Sequence, residues 1–312
     1  MRHRGTRGIP KRDRFWRLAA YAAVCVALAI VAGGGAIFAV DDAPRPIPST
    51  AILYPAEQLL IAYCMSTYGF TYYPAASQPA NPMSEFPFVI SNLKWASANG
   101  FGRDIINKES RNDSYVGSLS EANANRYATD LNGSGPSGPG VTVELPTGER
   151  LGHSSLGCIA YAEGILYSNF SHWFRLQSVD DDLAVLVRQD VEANSKYVQR
   201  ASRWSSCMRS AGYLFSTPAS AMEQFLSAAP APSDRVAKRA AITEVHCALS
   251  VKLATVARTL AARYQLVIQH DYAATIAAFH GARLSAVPRA RQVLELLCKR
   301  RPYLKLSVCS RF

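Results

Sequence analysis

The chain has 312 residues, of which 49% are hydrophobic and 18% are charged, a composition that excludes general disorder. One long apolar run lies near the N-terminus and no second one follows, which excludes a multi-span channel or transporter. The net charge of +11 is concentrated at the two ends. Residues 1–17 contain seven basic residues and one acidic residue, and residues 283–312 contain eight basic residues and one acidic residue. The residues between these segments contain 19 basic and 21 acidic residues. Because the middle is nearly neutral, we expect no nucleic-acid partner.

The apolar run, residues 18–40, carries no formal charge and would span about 34 Å as a helix, enough for the core of a bilayer. Basic residues precede it, and Asp41 and Asp42 follow it, so the positive-inside rule places the N-terminus in the cytoplasm. We predict a basic cytoplasmic tail at 1–17, a single transmembrane signal anchor at 18–40 and an extracytoplasmic remainder. A cleaved signal peptide, which would release a secreted protein, is the alternative.

The segment after the anchor begins with a linker. Residues 41–53 are rich in proline, which predicts a stiff tether. Helical spacing then predicts a first helix from Ala56 to Tyr68, ended by Gly69 in the left-handed conformation. Residues 71–117 show no sustained period, and we expect long ordered loops with one short helix near 88–99.

Two local signals follow these loops. The run from Ser118 to Glu121 matches a capping box, which predicts a helix that reaches about Leu131. Alternating residues at 141–145, with a turn after them, predict a small β-hairpin with residues 149–152. The fold is therefore predicted to be mainly α, with at most one small hairpin.

The pattern becomes helical from about residue 156. Ser178 and the three aspartates at 180–182 predict a helix N-terminus, because carboxylates stabilise the positive end of the helix dipole. Residues 234–282 keep helical spacing throughout. They predict either one unbroken helix of about 73 Å or a helix broken near Ser250 or His270.

The C-terminal part is predicted to be separate from this helix. Gly281 and Pro288 are typical of a helix end, and the basic residues begin at the same place. We therefore assign 54–282 to a helical extracytoplasmic domain and 283–312 to a basic C-terminal tail that lies outside the core.

Six cysteines lie outside the predicted anchor, an even number that in an exported chain indicates disulfides. Zinc or a nucleophilic thiol is the alternative, but zinc sites favour closely spaced pairs and the sequence has none. Two of the six begin the same motif, C-M-x-x-x-G-aromatic-x-aromatic, at residues 64–72 and 207–215, and each motif is followed by one further cysteine. This repetition predicts the pairs Cys64–Cys158, Cys207–Cys247 and Cys298–Cys309.

These motifs, together with Gly157-Cys158 and Leu166-Tyr167, resemble a pattern in uncharacterised exported proteins of actinobacteria. The resemblance covers roughly residues 54–280 and depends on the order of short motifs. It implies export and disulfides but no activity. Members often carry a glutamate three residues after the second cysteine, whereas Tyr161 stands there in this chain, so no role of that glutamate is carried over.

Three groups of residues have the types that could form a site of chemistry. Residues 152–157 resemble a nucleophile elbow, but the second glycine is displaced by one position and no parallel sheet is predicted. His246, His270 and His280 are too far apart on a helix to share a metal ion. The aspartates at 180–182 are explained by the predicted helix cap. We therefore expect no catalytic residues, no cofactor and no metal.

Two features indicate binding. The segment 54–116 holds 11 of the 31 aromatic residues, which either build a core in a loop-rich region or bind glycans. The predicted Cys298–Cys309 loop would bring together four cations that could contact an anionic surface: Lys299, Arg300, Arg301 and Lys305.

The sequence thus predicts a disulfide-braced helical ectodomain with long loops, preceded by a single N-terminal transmembrane helix. We expect a membrane-anchored extracytoplasmic protein with a non-enzymatic, interaction role in the cell envelope and an unknown protein partner. One alternative is an envelope protein that binds or hydrolyses peptidoglycan or another glycan, which would need two positioned carboxylates. Another is an adhesin that meets anionic envelope polymers through its basic tail.

Overall fold

A computed structural model describes residues 49–78, 82–134, 138–300 and 309. The chain divides into two units, Met1–Pro46 and Ile47–Phe312. The predicted cytoplasmic tail and signal anchor lie outside the described residues. The predicted linker is shorter than expected at its C-terminal end, because Ile52 and Leu53 are buried in the second unit.

The described residues are mostly helical, as predicted. A short 3-10 helix, Ser49–Ile52, precedes the first α-helix. The α-helices are α1 (Leu53–Thr67), α2 (Pro82–Glu85), α3 (Leu93–Asn99), α4 (Arg103–Ile106), α5 (Arg111–Gly117), α6 (Glu121–Asn132), α7 (Cys158–Tyr167), α8 (Phe170–Glu192), α9 (Ser195–Ser210), α10 (Pro218–Ser227), α11 (Asp234–Ser250), α12 (Leu253–Asp271) and α13 (Ala273–Arg300).

The predicted hairpin is present. Strand β1 (Gly140–Glu144) pairs antiparallel with β2 (Arg150–Ser154), and Val141 lies opposite His153. Val141 is buried against Ala160 and Phe170, which fixes the hairpin on the helical body. This is the one sheet within the residues that the structure describes.

Both C-M motifs end their helices in the same way. Gly69 and Gly212 have positive φ angles of 83° and 89°, a conformation that glycine adopts without strain. The aromatic residue that follows each glycine donates its backbone amide to the carbonyl of the motif methionine. This is a Schellman cap, and it explains the glycine of the motif, whereas the aromatic residue after it packs against buried apolar side chains.

Two large clusters of buried side chains form the core. One joins α1, α6, α7 and α13 and includes Leu59 and Leu166. The other joins α3, α9, α10, α11 and α12 with the loop that precedes α3, and it includes Phe101 and Trp204. Each cluster contains one of the disulfide bonds between helices, so these bonds brace the packed interior.

The long helical segment is broken at both predicted places. Lys252, in the left-handed conformation, separates α11 from α12, and Tyr272 separates α12 from α13. The two alternatives for this segment are thereby settled in favour of a broken helix. Among the described residues no single helix combines the length and hydropathy of a membrane span, although α11 and α12 pass that test together as a pair bent by 70°.

The predicted end near Gly281 and Pro288 is wrong. Helix α13 continues through both residues to Arg300. Proline inside a helix costs about 3 kcal/mol, because it removes a backbone hydrogen bond. This cost is offset by the burial of several apolar side chains in the first cluster. They are Ala286, Val287, Ala290, Val293 and Leu294.

The predicted helix N-terminus at Ser178 is also wrong. Helix α8 begins eight residues earlier, where the Asn169 side chain accepts a hydrogen bond from the His172 amide. Asp182 instead accepts hydrogen bonds from the backbone amide and the hydroxyl of Thr147, at 2.8 and 3.2 Å. It therefore holds the turn of the hairpin against α8.

Candidate functional site

The cysteines are bonded in the three predicted pairs. The Cα–Cα distances are 5.5, 5.7 and 5.6 Å, within the ordinary range for disulfides. The bonds are Cys64–Cys158, Cys207–Cys247 and Cys298–Cys309. The first two include the fully buried Cys158 and Cys247, so they brace the core and present no reactive thiol.

The four residues predicted to contact an anionic surface are only partly within the described structure. Lys299 is exposed near the end of α13. The Arg300 side chain, Arg301 and Lys305 lie outside the described residues. The clustering of these four charges remains a prediction.

Ser154, the serine of the elbow-like run, belongs to the β-hairpin. Ser154 ends an antiparallel strand, and its hydroxyl accepts a hydrogen bond from the Leu156 amide at 3.1 Å. A nucleophile elbow requires a turn from a parallel strand into a helix, whereas Ser154 lies at the end of an antiparallel hairpin. Among the described residues, no group of three or more His, Cys, Asp or Glu side chains is placed to hold a metal ion.

The aromatic-rich segment contributes mainly to the core. Phe86 packs edge-on against Trp95, and Phe101 stacks on Phe225 with ring centroids 4.4 Å apart. Two tyrosines of α1 and its C-cap, Tyr63 and Tyr68, are exposed. The core interpretation is confirmed for the phenylalanines, whereas a glycan contact at the exposed rings remains a proposal.

The structure brings together two glutamates that the sequence analysis did not single out. Glu57 on α1 is half-buried, and Glu163 on α7 is 8% exposed. Burial, and secondarily the charge of Glu163, raise the pKa of Glu57 to about 7. Burial also raises the pKa of Glu163, although a hydrogen bond from the Trp173 indole and the nearby His153 oppose this shift.

An aromatic stack lies against this acid pair. The Trp173 indole nitrogen donates to Glu163 Oε1 at 3.2 Å. The Trp173 ring stacks on Tyr167 at 3.5 Å between centroids and on Phe279 at 5.3 Å. The pair therefore consists of one carboxyl that is fixed by an indole and a second, Glu57, that is more accessible to solvent.

A signal for the acid pair is present in the sequence. The Cys64–Cys158 bond joins the end of α1 to the start of α7. Glu57 lies seven residues before Cys64, and Glu163 lies five residues after Cys158. These separations correspond to about 10 Å along α1 and about 8 Å along α7, and the two helices are antiparallel. The predicted disulfide and helical spacing together would have placed the two carboxyls near one another.

The described residues also form an open cleft of about 420 Å³ along α9. Hydroxyl-bearing and small side chains line most of it, and one charged residue of each sign takes part. The lining residues are Glu192, Tyr197, Val198, Ala201, Ser202, Ser205, Ser206, Arg209, Ser216, Thr217 and Ala219. The cleft thus combines apolar surface with several hydroxyls, and it runs from the end of α8 to the segment that begins α10.

A buried acid lies behind this cleft. Glu244 on α11 is fully buried. Burial, then the charge of Glu192 and last the charge of Glu244 raise the pKa of the cleft residue Tyr197. Burial raises the pKa of Glu244 itself to about 8, and the Ile90 amide opposes this shift. Among the described residues neither carboxyl oxygen has a hydrogen-bond partner of ordinary geometry, and neither does the buried Trp204 indole nitrogen. Burial therefore favours the protonated form of Glu244.

Comparison with known proteins assigns no family: the chain matches no protein-family model, no curated protein and no solved structure. A function for this chain must therefore be argued from its own residues.

Proposed function

We propose that the chain is an extracytoplasmic protein of the cell envelope that acts by binding, held at the membrane by residues 18–40. The observation that carries this proposal is the pair of disulfides buried between helices, Cys64–Cys158 and Cys207–Cys247. Disulfides of this kind form and persist in oxidising compartments outside the cytoplasm. The uncharged run at 18–40, with its basic flank on one side, supplies both the export signal and the anchor.

Binding is favoured over catalysis by the character of the polar side chains. The Glu163 carboxyl is engaged by the Trp173 indole, and Asp182 is engaged by the hairpin turn. The α9 cleft is lined by hydroxyls and lacks a cysteine, a histidine or a pair of carboxylates. Such a lining suits recognition of a polar ligand through many weak hydrogen bonds.

Sedimentation with purified envelope material tests this proposal. The full chain in mild detergent should sediment with cell-wall fragments in a saturable manner. A variant with alanine at Lys299, Arg300, Arg301 and Lys305 separates an adhesin that uses its tail from a protein that binds through its helical domain. Binding that the alanine variant retains assigns the interaction to the domain, and binding that it loses assigns it to the tail. A wild-type chain that fails to sediment at low salt overturns the proposal.

Glycan hydrolysis is a second candidate function, favoured by the Glu57–Glu163 pair. A general acid needs a carboxyl that stays protonated near neutral pH, and the pKa of Glu57 is raised to about 7. Glu163, nearly buried, would then have to act as the partner carboxylate. Digestion of purified peptidoglycan by the wild type and by Glu57→Gln decides the matter. Activity that the variant loses supports hydrolysis, whereas an inactive wild type removes this candidate.

A further inference from the structure

We propose that the cleft along α9 is the binding site of this protein and that its ligand is an anionic, hydroxyl-bearing chain, meaning a sugar or polyol polymer that carries phosphate or carboxylate groups. This inference rests on the proposed binding function and adds a place and a ligand class to it. Three observations carry it: the shape of the cleft, the hydroxyls in its lining and the arginine at one end of it.

The first observation is shape. The lining residues of α9 recur at spacings of three and four, from Tyr197 through Ala201 and Ser205 to Arg209, so they form one stripe along the helix. This stripe is about 18 Å long. Between Tyr197 and Arg209 the side chains of the stripe are small, which leaves room for an extended chain to lie along the helix. A volume of about 420 Å³ is within the usual range of ligand sites.

The second observation is the supply of hydroxyls. Ser205 donates its hydroxyl to the Phe215 carbonyl at 2.6 Å, and Ser206 donates to the Ser202 carbonyl at 3.1 Å. A hydroxyl that donates one hydrogen bond keeps two lone pairs, so these serines can still accept from ligand hydroxyls. The bond from Ser205 also fixes the wall of the cleft, because it ties α9 to the segment that precedes α10.

The third observation is charge. Helix α9 carries four cations, and Arg209 is the one that lines the cleft. Arg209 is exposed and lies in the lining at the C-terminal end of the stripe. An arginine there is suited to phosphate or carboxylate oxygens through two parallel hydrogen bonds.

The acid in the lining sets the direction of the ligand. Glu192 ends α8, and its charge contributes to the raised pKa of Tyr197, so it lies near the N-terminal end of the α9 stripe, away from Arg209. It repels an anionic group and accepts hydrogen bonds from hydroxyls. The ligand therefore places its anionic group at Arg209 and its hydroxyls over the serines and toward Glu192.

Calorimetry on the full chain in mild detergent tests the inference with three probes: a glycerol-phosphate oligomer, an oligogalacturonate and a neutral dextran oligomer. At least one anionic probe should bind, and dextran should bind at least tenfold more weakly. Binding of the phosphate probe alone identifies a polyol-phosphate ligand, and binding of the carboxylate probe alone identifies an acidic sugar. Dextran that binds as tightly as both anionic probes overturns the inference.

Variants locate the site. Arg209→Glu removes the cation, and Ser202→Trp fills the cleft from an exposed position of α9. Each should raise the Kd of the anionic probe at least tenfold. Arg258→Glu, an exposed arginine of α12 outside the lining, is the matched control and should change the Kd less than twofold. Circular dichroism and thermal unfolding identify a variant that has lost its fold, in which case the other variant carries the test.

The outcomes separate this inference from the proposed function. If the wild type sediments with envelope material but binds no anionic probe, or if Arg209→Glu and Ser202→Trp behave like the control, the cleft is not the site and the binding function stands. If the wild type binds neither probes nor envelope material, both proposals fail.

Discussion

Arg289 on α13 donates a hydrogen bond from its side chain to the backbone carbonyl of Leu166, in the last turn of α7. The carbonyls of the last turn lack partners within their own helix, so this bond satisfies one of them. It also shows that residues 283–300, the described part of the basic C-terminal segment, belong to the domain, because a residue assigned by charge to a solvent-exposed tail instead caps a core helix.

Truncation after Ala282 should therefore unfold the domain. The variant would lose Arg289 and the buried side chains of α13, among them Val287, Val293 and Leu294. Burial of each large apolar side chain contributes about 1.5–3 kcal/mol, so the loss should exceed about 5 kcal/mol. Urea unfolding followed by circular dichroism measures it. The control, truncation after Arg300 with Cys298→Ser, keeps the helix and should retain a cooperative transition. A stable, cooperative protein ending at Ala282 would contradict this packing.

The contribution of each disulfide to the free energy of unfolding should increase with the length of the loop that it closes. The sequence separations are 94 residues for Cys64–Cys158, 40 for Cys207–Cys247 and 11 for Cys298–Cys309. The chain-entropy model gives about 5, 4 and 3 kcal/mol respectively. Paired Cys→Ala variants, compared by denaturant unfolding, check the order. A larger loss at Cys298–Cys309 than at the other two pairs would exclude this explanation.

The glycine of each C-M motif should resist substitution. Gly69→Ala and Gly212→Ala should each destabilise the protein by about 1–2 kcal/mol, because an L-residue is strained at positive φ. Both glycines have open space around the position of a Cβ atom, so the effect isolates the backbone conformation. Gly281→Ala is the matched control. It lies inside α13, also has open space, and should stabilise by about 0.5–1 kcal/mol. Thermal unfolding distinguishes the two signs.

Glu244 should make stability fall as the pH rises. Its pKa is about 8 in the folded protein against 4.5 for an ordinary glutamate. The folded state therefore keeps a proton that the unfolded state releases. The contribution of Glu244 to stability is complete below about pH 4.5 and declines up to about pH 8, with a slope of at most about 1.4 kcal/mol per pH unit.

Glu244→Gln should remove this decline, since glutamine matches the shape of the protonated acid. The difference in unfolding free energy between variant and wild type should be small at pH 5 and should favour the variant by a few kcal/mol at pH 9. Glu223→Gln, an exposed site on α10, should show no such pH-dependent difference. If the gain of Glu244→Gln is the same at both pH values, the residue does not hold its proton in the folded state.

Features set by neighbouring residues were predictable from the sequence. The hairpin follows from alternation and a turn, and the helix ends at Gly69 and Gly212 follow from glycine in a Schellman cap. The cysteine pairing followed from the repeated motif. The repeat does not extend to the partner helices, however. Cys158 begins α7, whereas Cys247 lies near the end of α11. The disulfide is therefore at the N-terminal end of one partner helix and near the C-terminal end of the other.

Features set by packing were not predictable from local signals. Pro288 and the aspartates at 180–182 are typical of helix ends, yet each lies inside a helix. Tertiary contacts there outweigh the local preference of these residues for helix termini. The cleft along α9 is also a tertiary feature, since its second wall comes from residues 216–219. Ser202 and Arg209 alone look like ordinary exposed residues of an amphipathic helix.

The compartment and oxidation state of the domain test the central claim most directly. Spheroplasts of cells that express the full chain are treated with external protease, free thiols are blocked, and the peptides are identified without reductant. An extracytoplasmic binding domain predicts that intact spheroplasts release peptides of residues 49–300, with Cys64 linked to Cys158 and Cys207 linked to Cys247. Protection of the domain until lysis, with these cysteines recovered as free thiols, would contradict the account.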